Sequence, residues 1–153
     1  MAGNIFWKEG STVTVTSVGT SFASGLLVNC GQFDNSSTGS QPQYFVGRAS
    51  FNAQWNSTSG IVNGTNICDM YMVPRIDRTN APAVGSSLAS PNGYIGSFIC
   101  ATNTIAASSF VLFDSPDFEL RPWLYDVYLI NQSGQAIASS WTLKLITAEA
   151  QYT

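Results

Sequence analysis

The chain has 153 residues, of which six are Lys or Arg and nine are Asp or Glu, giving a net charge of −3, and it contains no histidine. Losing the commonest general acid/base and metal ligand removes most ordinary enzyme mechanisms, and the scattered bases Lys8, Arg48, Arg75, Arg78, Arg121 and Lys144 form no patch for nucleic acid. Charged residues make up 10% of the chain against about 25% in a typical soluble domain, which suits a protein that is secreted or is covered by its neighbours in an assembly.

The size fits one domain, and the residue pattern predicts strands with no helix. The start, Met-Ala-Gly-Asn-Ile-Phe-Trp-Lys, lacks the basic opening and long apolar stretch of a signal peptide. Residues 1–10 read as an N-terminal arm and 11–153 as a β-sandwich. In Thr12–Thr16 valines and threonines alternate with period two. Phe22–Cys30 is a second apolar run interrupted by Gly25, which predicts a bend or bulge. Gly31–Pro42 reads as a loop. Tyr44–Trp55 puts Phe45, Ala49, Phe51, Ala53 and Trp55 in one phase, and another loop follows at Asn56–Asn66. Ile67–Val73 is a strand stopped by Pro74, and Arg75–Gly93 is a long connection that suits a jelly roll or Greek key, where some strands cross between sheets. Tyr94–Cys100 and Phe110–Phe113 are short strands.

In Trp123–Asn131 the residues Trp123, Tyr125, Val127 and Leu129 share a face; in Gln135–Thr147 it is Ile137, Trp141, Leu143 and Leu145. With the short link Gln132-Ser133-Gly134 between them, these two segments predict an antiparallel β-hairpin. No apolar run, Val127–Ile130 included, is long enough to span a bilayer. About eight strands separated by turn signals give an all-β class: a single-domain β-sandwich, best read as a jelly roll of about eight antiparallel strands.

Candidate sites are few. Asp114, Asp117 and Glu119 offer carboxylates for calcium or glycoside hydrolysis, but Pro116 breaks the spacing and the cluster reads as a solvated loop. Arg75, Asp77 and Arg78 form an alternating-charge group suited to a local ion pair or a contact with a neighbouring subunit. Ile5, Phe6 and Trp7 either fold over their own sandwich or anchor in an adjacent subunit. Trp123, Tyr125 and Trp141 are assigned to the core. Cys30, Cys68 and Cys100 read as buried reduced thiols, and the triplets at Asn35, Asn56, Asn63 and Asn131 as loop markers rather than glycosylation sites. The threonine face of Thr12–Thr16 resembles an ice-binding array, though it appears on one strand only. The residues suggest no metal, no cofactor and no catalytic group.

The closing block LRPWLYDVYLINQSGQAIASSWTLKLITAEAQY, the size, the Met-Ala-Gly start and the Ser/Thr/Asn-rich loops resemble the small jelly-roll decoration (cement) proteins on the heads of tailed bacteriophages. The resemblance implies a non-enzymatic virion protein on the outer surface of the capsid, bound to the major capsid protein as a homo-oligomer, commonly a trimer, and reinforcing the shell. A carbohydrate-binding β-sandwich, such as a phage fibre or receptor-binding domain, is the alternative, with aromatics stacking on sugars.

Overall fold

The computed structural model describes residues 5–36, 44–59, 61–75, 77–80, 93–102 and 105–152. Its elements are all strands: β1 (Ile5–Thr16), β2 (Leu27–Asp34), β3 (Val46–Ala53), β4 (Asn66–Pro74), β5 (Tyr94–Ile99), β6 (Val111–Asp114), β7 (Phe118–Glu119), β8 (Leu124–Asn131) and β9 (Thr142–Tyr152). Two antiparallel sheets pack face to face. One runs β1-β9-β3-β6, with β7 also on β3; the other runs β2-β8-β4-β5.

β6 and β7 lie in line along β3, Asp114 opposite Ser50 and Phe118 opposite Gly47. They form one edge strand broken at Ser115, Pro116 and Asp117. The Ser115 hydroxyl accepts the Ala49 amide at 2.8 Å and the Ser115 amide donates to the Ala49 carbonyl at 2.9 Å, so the break keeps the ladder satisfied. Counting that pair as one gives eight strands in which first pairs with last, second with last but one, third with sixth and fourth with fifth. This is a long antiparallel ribbon rolled into two sheets, the jelly-roll topology.

Alternation fills the space between the sheets. Ala49, Phe51 and Ala53 of β3, Met70 and Met72 of β4, Val127 and Leu129 of β8, and Leu143 and Leu145 of β9 are all buried. Phe51 sits at the centre, its ring centroid 5.4 Å from Phe98 and 5.8 Å from Trp141. Val13 and Val15 pack against this core while Thr12 and Thr14 are exposed, so the threonine face of β1 is an outer sheet surface.

Three local expectations change. The Trp123–Asn131 and Gln135–Thr147 segments are not a hairpin: β8 pairs with β2 and β4, whereas β9 pairs with β1 and β3. Their apolar faces do meet one core, but across the sandwich rather than side by side, and residues 132–141 carry the chain from one sheet to the other. Conversely, the long Arg75–Gly93 connection does not cross between sheets; it joins the neighbours β4 and β5. And β2 continues to Asp34, because Gly31 takes φ +123° at a bulge where a Cβ would stand 3.1 Å from the Val15 carbonyl oxygen.

Candidate functional site

Strand directions sort the connections between the two ends of the sandwich. One end gathers the β2–β3 connection, the β4–β5 connection, residues 120–123 and the far ends of β1 and β9. The sequence-predicted interface residues Ile5, Phe6, Trp7, Arg75, Asp77 and Arg78 all fall at this end. Residues 5–10, expected as an arm, have strand backbone. β3 pairs with β9 only as far as Val46 opposite Ala148, and beyond it Ile5–Glu9 run against Ala148–Tyr152 as a two-stranded ribbon.

Arg75, Asp77 and Arg78 each hydrogen-bond outside the group rather than to one another. Arg75 grips Asp126 in a bidentate pair, Nε to Oδ2 at 2.7 Å and Nη2 to Oδ1 at 2.8 Å. Asp126 is buried, and the paired charge and hydrogen bonds keep the guanidinium pKa above its ordinary value. Arg75 is therefore an internal tie between the end of β4 and β8 rather than a free contact residue. Arg78, held at φ 61°, reaches Asp34 at 2.9 Å and the Ser36 hydroxyl. Burial opposes the charge on Asp34, but hydrogen bonds from Ser36 and the Arg78 guanidinium outweigh it and hold the carboxyl below its usual range. Asp77 pairs with neither arginine. It accepts the amides of Asn80 and Thr79, which lowers its pKa and closes its own turn.

Asn35 fastens the base of this end. Its Nδ2 donates to the carbonyls of Tyr44 and Arg121 at 2.8 and 2.9 Å, and its Oδ1 accepts the Tyr44 amide at 3.0 Å. Around it stand two exposed aromatics that the sequence pattern places inward, Phe45 at 52% and Trp123 at 44% exposure. β3 begins only at Val46, and Gly47 takes the inward slot beside it, with Phe118 and Leu120 filling the space a side chain there would need. Trp123 lies just outside β8 and stacks under the Arg121 guanidinium, 5.7 Å from the ring centroid. Tyr125 and Trp141 are buried as expected.

Of the Asn-x-Ser/Thr triplets, Asn35 and Asn131 are buried structural bridges, while Asn56 and Asn63 are exposed. Asp117 pairs with Arg48 at 2.9 Å and Glu119 with Arg121 at 3.4 Å, so two of the three carboxylates in the acidic cluster sit in surface ion pairs. The three cysteines are buried and free. Burial pushes the thiols of Cys30 and Cys68 well up, which keeps them protonated and unreactive.

The outer face of β4 and β5 carries a second polar cluster that sequence reading passed over. Asp69 Oδ1 accepts from Asn66 at 2.9 Å and from the Ser97 hydroxyl, and its Oδ2 accepts from Gln132 at 2.9 Å. Tyr94, 49% exposed, shares a hydrogen bond with Ser97 and meets Tyr71 edge-on at 5.5 Å. These residues are far apart in sequence, and only the pairing of Asp69 with Ser97 in adjacent strands assembles them. Compared with protein families, curated proteins and solved structures, the chain finds no match in any of the three.

Proposed function

We propose that this is a non-enzymatic capsid decoration protein, seated on the outside of a phage head through the end that carries the β1/β9 ribbon and the Arg75–Arg78 segment. The observation that carries the reading is the two-stranded β1/β9 ribbon beside the exposed aromatics Phe45 and Trp123 at one end of a jelly roll. A backbone ribbon offers an exposed strand edge for pairing with a coat subunit. The exposed Phe45 and Trp123 supply aromatic anchors of the kind enriched in interfaces. The Arg78–Asp34 and Arg121–Glu119 ion pairs give this end the polar rim that surrounds such anchors.

Reinforcement is mechanical on this reading. Each molecule bridges adjacent copies of the major capsid protein, and rupture must re-expose every bridged contact, so many modest contacts act together. Capsids of a gene-deleted virus, mixed with purified protein, are expected to bind it and to break at a higher temperature. Absence of binding, or binding with an unchanged disruption temperature, overturns the reading.

A carbohydrate-binding role has one observation in its favour, the Tyr71–Tyr94 pair beside the Asp69 network. An exposed tyrosine next to fixed hydrogen-bond groups is a sugar-stacking arrangement. The decoration reading expects no glycan-array signal. A signal that Tyr94→Ala abolishes would favour the carbohydrate role instead.

A further inference from the structure

The cluster on the outer face of β4 and β5 is shaped by a bulge in an edge strand. The register passes from Gly96 opposite Met70 to Tyr94 opposite Tyr71, which leaves Ile95 as an extra residue. Tyr94 and Ser97 are three positions apart and without the bulge would point to opposite faces of the sheet. With it they share a face with Tyr71 and Asp69, and the Tyr94 hydroxyl lies 2.8 Å from Ser97 Oγ. Ser97 donates to Asp69, so it accepts from the Tyr94 hydroxyl, and that tether fixes the ring. The Tyr71 and Tyr94 rings meet at 62° and form two walls of a corner, with the Asp69 carboxylate beside it.

The charge of this corner is uncompensated. Of the six Lys and Arg side chains, Arg48, Arg75, Arg78 and Arg121 are committed to Asp117, Asp126, Asp34 and Glu119. Lys8 and Lys144 belong to β1 and β9, in the other sheet. Asp69 has no ion-pair partner among the described residues, only the neutral donors Asn66, Ser97 and Gln132. Acceptors are in excess as well, because Asn66 Oδ1 is buried with no donor among the described residues. Burial, then the Asp69 charge and then Tyr94, raise the Tyr71 phenol above its ordinary pKa, so the negative field reaches that ring.

Fixed tyrosine rings beside an uncompensated carboxylate attract a weakly hydrated cation. A metal ion needs several oxygen ligands, whereas here a single carboxylate already accepts three hydrogen bonds. A neutral sugar makes no use of the charge. We propose that this corner binds an organic ammonium group, its alkyl surface against Tyr71 and Tyr94 and its charge answered by Asp69. This goes beyond the shell-binding reading and does not depend on it.

Choline is the probe, titrated into the purified full chain at constant ionic strength and followed by NMR chemical shifts. Shifts are expected at Asp69, Tyr71, Tyr94 and Ser97, with a Kd on the order of 1 mM. The uncharged carbon isostere, with tert-butyl in place of trimethylammonium, should bind at least roughly tenfold more weakly. Tyr94→Leu and Asp69→Asn should each keep the far-UV circular dichroism of the wild type and weaken choline binding by roughly tenfold. Asp117→Asn removes the same charge from the edge of the other sheet and should bind like the wild type. No shift at about 50 mM choline overturns the inference. So does equal binding of the isostere, binding undiminished in both corner variants, or a loss shared by Asp117→Asn. Neutral saccharides that shift these residues where choline does not would overturn it too.

Discussion

Replacing Trp141 by alanine is expected to cost about 3–5 kcal/mol of stability, the usual range for deleting a buried large aromatic. Trp141 is only 1% exposed and meets Phe22 at 5.5 Å and Phe51 at 5.8 Å, both in edge-to-face geometry. Its indole donates to the Thr20 carbonyl at 2.8 Å. Gly19 closes over the same ring: a Cβ there would lie 1.9 Å from the indole, and the Gly19 amide donates to the Trp141 carbonyl at 2.8 Å. The pocket is therefore walled by backbone on one side and cannot collapse to fill the cavity, which puts the loss toward the upper end of that range. For a domain of this size the melting temperature should fall by roughly 10 °C or more. Urea unfolding followed by far-UV circular dichroism measures the change without relying on tryptophan fluorescence. A loss below about 1 kcal/mol would mean the site repacks freely. Gly19→Ala should also destabilise, because the indole cannot move without giving up Phe22 or Phe51.

The second large effect is expected at Asn131. It is fully buried where β8 ends and the chain crosses to the other sheet. Its Nδ2 donates to the carbonyls of Gln135 at 2.7 Å and Phe22 at 3.3 Å, and its Oδ1 accepts the amide and hydroxyl of Ser133 at 3.0 and 2.7 Å. Ser133 in turn accepts the Trp55 indole N–H at 3.3 Å. One side chain thus shapes the crossing and ties it to the connection after β3. Asn131→Ala leaves the buried Ser133 amide without its acceptor and should cost about 2–3 kcal/mol. Hydrogen exchange should show the loss concentrated in residues 132–141, with the strands less affected. Uniform protection equal to the wild type would contradict the assigned role.

The β class and most of the core were legible from alternation, because period two is imposed by the pleat and inward positions must be apolar. Phe51, Trp55, Tyr125, Val127, Leu129, Trp141, Leu143 and Leu145 are placed correctly on that basis. Pairing was not legible. The faces of β8 and β9 look alike whether the strands lie side by side or face to face, since both arrangements bury the same residues. Strand ends were equally hidden: Phe45 and Trp123 continue the apolar phase yet fall just outside β3 and β8, where no opposite sheet covers them. Gly31 reads as a loop residue, but it is the bulge that lets β2 continue.

The candidate sites follow the same division. The residue types at 75–78 pointed to ion pairing, but their partners Asp126 and Asp34 lie 51 and 44 positions away and only the rolled ribbon brings them close.

The proposed capsid role is checked by cryo-electron microscopy of phage particles assembled with this protein. Jelly-roll density is expected on the outer surface of the head, at symmetry-related positions between coat subunits, with the β1/β9 ribbon end against the shell. A head whose outer surface lacks this density, or the same density found in the tail fibres, would contradict it.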